Sequence, residues 1–98
     1  MTAARLSNVF VRSDRIVGRR IAGEYVLVPL IGRGRDADSI YTLNRVAAAM
    51  WEALDGRVTG EEVVQRVVEL FEVDAPRAGR DFLELMETLE SIDAVRRL

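Results

Sequence analysis

Between residues 16 and 43 the apolar and polar positions read as short extended segments. The first two, 16–21 and 24–31, meet at Ala22-Gly23, where glycine supplies the positive φ of a tight turn, and together they predict a β-hairpin. Pro29 cannot donate to a sheet ladder, which puts it at an edge or a strand end. A solvated loop, 32–38, follows. Residues 39–43 then predict a third strand, with Tyr41 and Leu43 on one face and Ile40 and Thr42 on the other.

Beyond Leu43 the apolar positions recur with the spacing of a helix. Asn44 is a natural N-cap, and Ala47, Met50, Trp51 and Leu54 form a stripe at i, i+3, i+4 and i+7 before Asp55-Gly56 stops the helix. Thr59-Gly60-Glu61-Glu62 has the form of a capping box: the Thr59 hydroxyl accepts from the Glu62 amide, and the Glu62 carboxylate accepts from the Thr59 amide. The second helix that it opens buries Val63 or Val64, Val67, Val68 and Phe71. Asp74-Ala75-Pro76 begins a third, with Pro76 in the first turn, where its missing N–H leaves no bond unmade. Ala78, Phe82, Leu85, Met86, Leu89 and Ile92 make up its core stripe, and 94–98 reads as a closing strand. Three strands followed by three helices predict an α+β domain at 15–98, with 1–14 as an N-terminal extension.

Composition narrows the function. A chain of 98 residues, 49% of them hydrophobic, builds one core. Its longest apolar stretch, 25–31, is far short of the roughly 20 residues that a membrane-spanning helix needs. Residues 1–15 lack the continuous apolar run of a secretory signal, so the expected location is the cytoplasm, with no membrane partner. With neither cysteine nor histidine, the chain lacks disulfides, the usual zinc ligands, the commonest general base, a thiol nucleophile and the partner of a serine nucleophile. The expectation is a protein that is no enzyme and holds neither metal nor cofactor. All 14 basic residues are arginine, which reads mainly as genome composition. Charge is lopsided: residues 1–45 hold eight Arg against four acids, and 59–95 three Arg against ten, so the two halves face different surroundings.

The remaining constellations are mostly structural. Gly32-Arg33-Gly34 precedes a strand and lacks both a third glycine and a helix N-terminus, which makes it a turn and not a phosphate cradle. The acid pairs Asp36/Asp38, Glu61/Glu62 and Glu84/Glu87 fall in a loop or on helix surfaces and serve solvation. Trp51 lies on a core stripe and reads as packing. Leu83 falls off the Phe82/Met86/Leu89 stripe, on a flank with Gly79, Glu87 and Glu90. It is either a groove residue or a single exposed leucine.

The run Tyr41-Thr42-Leu43-Asn44, then Ala47, Trp51, Leu54-Asp55-Gly56, Thr59, Glu62-Val63-Val64, Phe71-Glu72-Val73-Asp74 and the helix around Phe82-Leu83 resembles the PqqD family over residues 15 to 92. That family is also known as the recognition element of ribosomally synthesised, post-translationally modified peptides. The resemblance implies a winged-helix-like fold, a three-stranded antiparallel sheet followed by a three-helix bundle. It further implies that the leader segment of a precursor peptide adds as a strand to the third strand, beside the third helix, for a radical-SAM or other peptide-modifying enzyme. The peptide-binding residues it implies are Ser39, Ile40, Tyr41, Thr42 and Leu43 on the strand, and Gly79, Arg80, Leu83 and Glu87 on the helix flank. The sequence departs from the family pattern where a glycine commonly follows the last helix, since Ser91-Ile92-Asp93-Ala94 stands there. The loop 32–38 is also longer than usual.

Two other classes stand against this one, the first because it shares the topology. A winged-helix DNA-binding regulator would bring positive charge to phosphates through its recognition helix. The third helix instead follows Arg77 and Arg80 with Asp81, Glu84, Glu87, Glu90 and Asp93, so no nucleic-acid partner is expected. A structural or dimerising subunit, with a homodimer as its partner state, is the third reading.

Overall fold

Local signals place most of the elements. The computed structural model describes residues 3–30 and 41–98. Its elements in chain order are β1 (Val9–Arg12), β2 (Ile16–Ile21), β3 (Glu24–Pro29), β4 (Tyr41–Leu43), α1 (Arg45–Glu52), β5 (Asp55–Thr59), α2 (Gly60–Phe71), α3 (Ala75–Ser91) and β6 (Val95–Arg97). The hairpin turns at Ala22-Gly23, both with positive φ, and pairs Ile21 with Glu24 and Ile16 with Pro29. The caps follow the sequence: Asn44 Oδ1 accepts from the Ala47 amide at 2.8 Å, and Asp74 Oδ2 from the Arg77 amide at 3.0 Å. In the capping box of α2, Glu62 donates to Thr59 Oγ1 at 3.2 Å and Thr59 to Glu62 Oε1 at 2.9 Å. The expected loop 32–38, together with Ile31, Ser39 and Ile40, lies outside the described residues.

The described strands form two antiparallel sheets, ordered β2-β3-β4 and β5-β1-β6, and with the three helices they make the domain α+β. The first sheet and the closing strand are those the sequence predicts. The second sheet is not, because it draws on two segments that the sequence reads as an extension and a helix stop. Val9–Arg12, in the segment assigned to the N-terminal extension, is the central strand of that sheet, and its Phe10 is buried in the core. Helix α1 ends earlier than expected, at Glu52 with Ala53 as its C-cap, and Asp55-Gly56 instead opens β5, which pairs Thr59 with Val9 and Asp55 with Val11 across an irregular register. Strand formation here is decided by a partner far along the chain, so local turn chemistry does not reveal it.

The core joins both sheets to all three helices. Phe82, Met86 and Leu89 of α3, Val63 and Val67 of α2, Met50 and Trp51 of α1, Leu27 of β3 and Phe10 of β1 are buried in one cluster. Phe10 and Phe82 meet edge to face at 5.8 Å between centroids. The N-terminal segment completes the start of α2: the Gly60 and Glu61 amides each donate at 2.9 Å, to the Asn8 and Leu6 carbonyls.

The last helix ends without the family's glycine, yet its turn is intact. Asp93 takes φ 58°, its amide donates to Glu90 O at 3.1 Å, and the Ala94 amide donates to Leu89 O at 2.8 Å. These are the two bonds of a Schellman cap, with aspartate in the left-handed position. Aspartate tolerates that conformation better than most residues, though less well than glycine. Asp93→Gly is therefore expected to raise stability by about 0.5 to 1 kcal/mol, read as an upward shift of the urea midpoint. A downward shift would show that the Asp93 side chain contributes more than its backbone costs.

Candidate functional site

A groove of about 740 Å³ runs between β4 and α3. One wall is Tyr41, Thr42, Leu43 and Asn44, the other is the α3 flank bearing Arg77, Asp81, Glu84, Leu85 and Thr88, and Val46, Ala47 and Met50 of α1 lie between them. Leu43, Met50 and Ala78 are buried and Val46, Ala47 and Leu85 half-buried, which gives the groove an apolar floor. Among the described residues β4 is an edge strand, paired to β3 on one side through Tyr25–Leu43, Val26–Thr42 and Leu27–Tyr41. Its other edge is unpaired among the described residues, and such an edge offers amides and carbonyls to an extended chain. Such an arrangement can hold a peptide by main-chain bonds and select it by side-chain pockets.

The expected site residues divide. Tyr41, Thr42 and Leu43 line the groove, Tyr41 and Thr42 exposed and Leu43 buried. Ser39 and Ile40 lie outside the described residues. Gly79, Arg80, Leu83 and Glu87 are not on the groove wall. At 100° per residue they occupy the flank of α3 on the far side of the Phe82/Met86 stripe. There a Cβ on Gly79 would stand 3.6 Å from the Leu6 side chain, and half-buried Leu83 packs against the core. The same flank carries Glu90, whose carboxylate accepts from Arg97 Nε at 2.8 Å and Nη2 at 3.3 Å, while Arg97 Nη1 donates to Ala3 O at 3.2 Å. That bidentate partner raises the Arg97 pKa above its ordinary value. The helical stripe thus has two flanks with a leucine on each. The sequence expectation takes Leu83 for the groove and Leu85 for the core, whereas Leu85 both packs against the core and lines the groove.

A second groove, about 890 Å³, opens beside it and is lined by Arg20, Tyr25, Arg45, Glu52, Leu70 and Phe71, among others. Several of its polar groups are already engaged. The Tyr25 hydroxyl donates to Glu52 Oε2 at 3.3 Å, and Arg20 and Arg45 stand 5.8 and 5.7 Å from the Tyr25 and Phe71 rings. Burial, then the Glu52 carboxylate, raises the Tyr25 pKa. Gly18 makes room for this tyrosine, since a Cβ there would collide with its ring.

Among the described residues no group of three or more His, Cys, Asp or Glu could hold a metal, and no helix is long and apolar enough to cross a membrane.

Fold and groove together define a small α+β domain with a sheet edge opened toward a helix. The family described as coenzyme PQQ synthesis protein D (PqqD) matches residues 24–95, and the chain belongs to the PqqD family. A solved structure, TbiB1 in complex with the TbiA(beta) leader peptide, is similar to it at 24% identity, with a TM-score of 0.69 over 88% of this chain and 94% of that one. No curated protein matches.

Proposed function

We propose that this chain binds the leader segment of a ribosomally made precursor peptide by strand addition to β4 and presents it to a modifying enzyme, a radical-SAM maturase. The observation that carries this reading is the edge strand β4 facing an apolar-floored groove. Family membership and a structural neighbour solved with a leader peptide support it. Main-chain bonds at about 0.5 to 1.5 kcal/mol each and apolar anchors at about 1.5 to 3 kcal/mol each offset about 2 to 5 kcal/mol for ordering the peptide. The balance favours modest, reversible affinity, which suits a carrier that hands its peptide on.

Titration of isotope-labelled protein with the leader of a precursor encoded beside its gene tests this. Amide shifts are expected to concentrate at Tyr41, Thr42, Leu43, Leu85 and Thr88. A map centred on Arg20 and Phe71, or on Gly79 and Leu83, would place the peptide elsewhere.

A further inference from the structure

The floor of the β4–α3 groove is apolar, but its rim is charged. Among the described residues, Asp74, Asp81 and Glu84 line it against a single cation, Arg77, while the described lining from β4 and α1 carries no charge. Asp74 is committed to the Arg77 amide as the helix cap. Arg77 stands 3.9 Å from Asp81, but the two side chains are 77% and 59% exposed, so the pair is screened and yields to a better partner. Glu84 forms no ion pair among the described residues. Three residues apart, Asp81 and Glu84 are about 4.5 Å apart along the helix axis, within reach of one cationic head group.

We infer that the peptide seated in this groove carries an arginine or lysine that meets Asp81 and Glu84, an even number of positions from an apolar residue packed over Ala47 and Leu85. This rests on the reading of the groove as a peptide site and adds the chemistry of its occupant. The even spacing follows because side chains of an added strand alternate, so only every second one faces the helices. Charge complementarity selects among extended peptides that the strand edge would otherwise hold alike.

The probe is a randomised library of short displayed peptides, selected in parallel on the full chain, on the Asp81→Arg/Glu84→Arg double variant and on Leu85→Asp, each checked for an unchanged melting transition. The parent is expected to enrich Arg or Lys at an even spacing from an apolar residue. Replacing that basic residue by Glu should weaken binding between about threefold and thirtyfold, and the double variant should enrich Asp or Glu instead. Peptides that Leu85→Asp no longer selects, but that show no basic preference or none that inverts, would overturn this inference and leave the groove reading standing. Selection indifferent to Leu85→Asp, or no selection at all, would overturn both. Should Leu85→Asp fail to fold, competition between the selected peptides and β4 amide shifts in the parent makes the same distinction.

Discussion

Phe82→Ala is expected to destabilise the domain by about 3 to 5 kcal/mol, the largest effect of any single truncation proposed here, through lost transfer energy and the cavity left behind. Phe82 is 0% exposed, sits at the centre of the α3 stripe and meets Phe10 of β1 edge to face. Its ring also packs so closely on the first residue of α2 that Gly60 has no room for a methyl group. One side chain therefore joins the second sheet to two helices, and neighbours held by main-chain bonds cannot collapse into the space it leaves. Against a total stability of roughly 5 to 15 kcal/mol, the loss is a large fraction. Urea denaturation followed by the fluorescence of Trp51, which is itself buried, measures it. A loss under about 1 kcal/mol would mean that the Phe10–Phe82 contact is not central to the core.

The second large effect separates the two flanks of α3. Leu83 and Leu85 are both half-buried and both pack on the core, but only Leu85 lines the groove. Leu83→Ala and Leu85→Ala should therefore cost the fold similar amounts, each less than the roughly 2 to 5 kcal/mol of a fully buried leucine. Their effects on peptide binding should differ. Leu85→Ala removes an apolar contact worth about 1.5 to 3 kcal/mol once the peptide covers it, or about tenfold to a hundredfold in Kd. Leu83→Ala should leave Kd unchanged. Matched denaturant midpoints and peptide titrations on the two variants decide the matter: weakening by Leu83→Ala alone would put the peptide on the other flank, and equal weakening would show that binding does not distinguish the two.

Why the flank was not legible follows from the geometry of a helix. Periodicity locates the buried stripe of Ala78, Phe82, Met86 and Leu89, because burial repeats with the helix turn. It contains no statement about which side of that stripe faces the sheet. That choice is made by β4 on one side and by the Leu6 segment and the Glu90–Arg97 pair on the other, and β4 and Leu6 are both distant in sequence. The β4 residues Tyr41, Thr42 and Leu43 were legible because their alternation and the N-cap that follows them are local signals, and the partner strand β3 is a hairpin arm already marked by its own turn. The caps at Asn44, Thr59 and Asp74 were legible for the same reason, since each is satisfied within a few residues. β1 and β5 were not: Asp55-Gly56 carries turn chemistry, Gly56 has φ 82°, and the strand exists only because Val9 and Val11 lie beside it.

The pairing of β1 with β6 also has a consequence for the order in which the chain assembles. Phe10 lies opposite Arg97, so this ladder closes a loop of almost the whole domain, whereas β2 and β3 close around a tight turn. Loop-closure entropy alone makes the former roughly 3 kcal/mol more demanding. During synthesis the hairpin and β4 leave the ribosome well before β6, while β1 waits for its second neighbour until the end. The sheet edge proposed to receive the peptide thus belongs to the early, local part of the fold, and the sheet that locks the N-terminal strand in place is its late, non-local part.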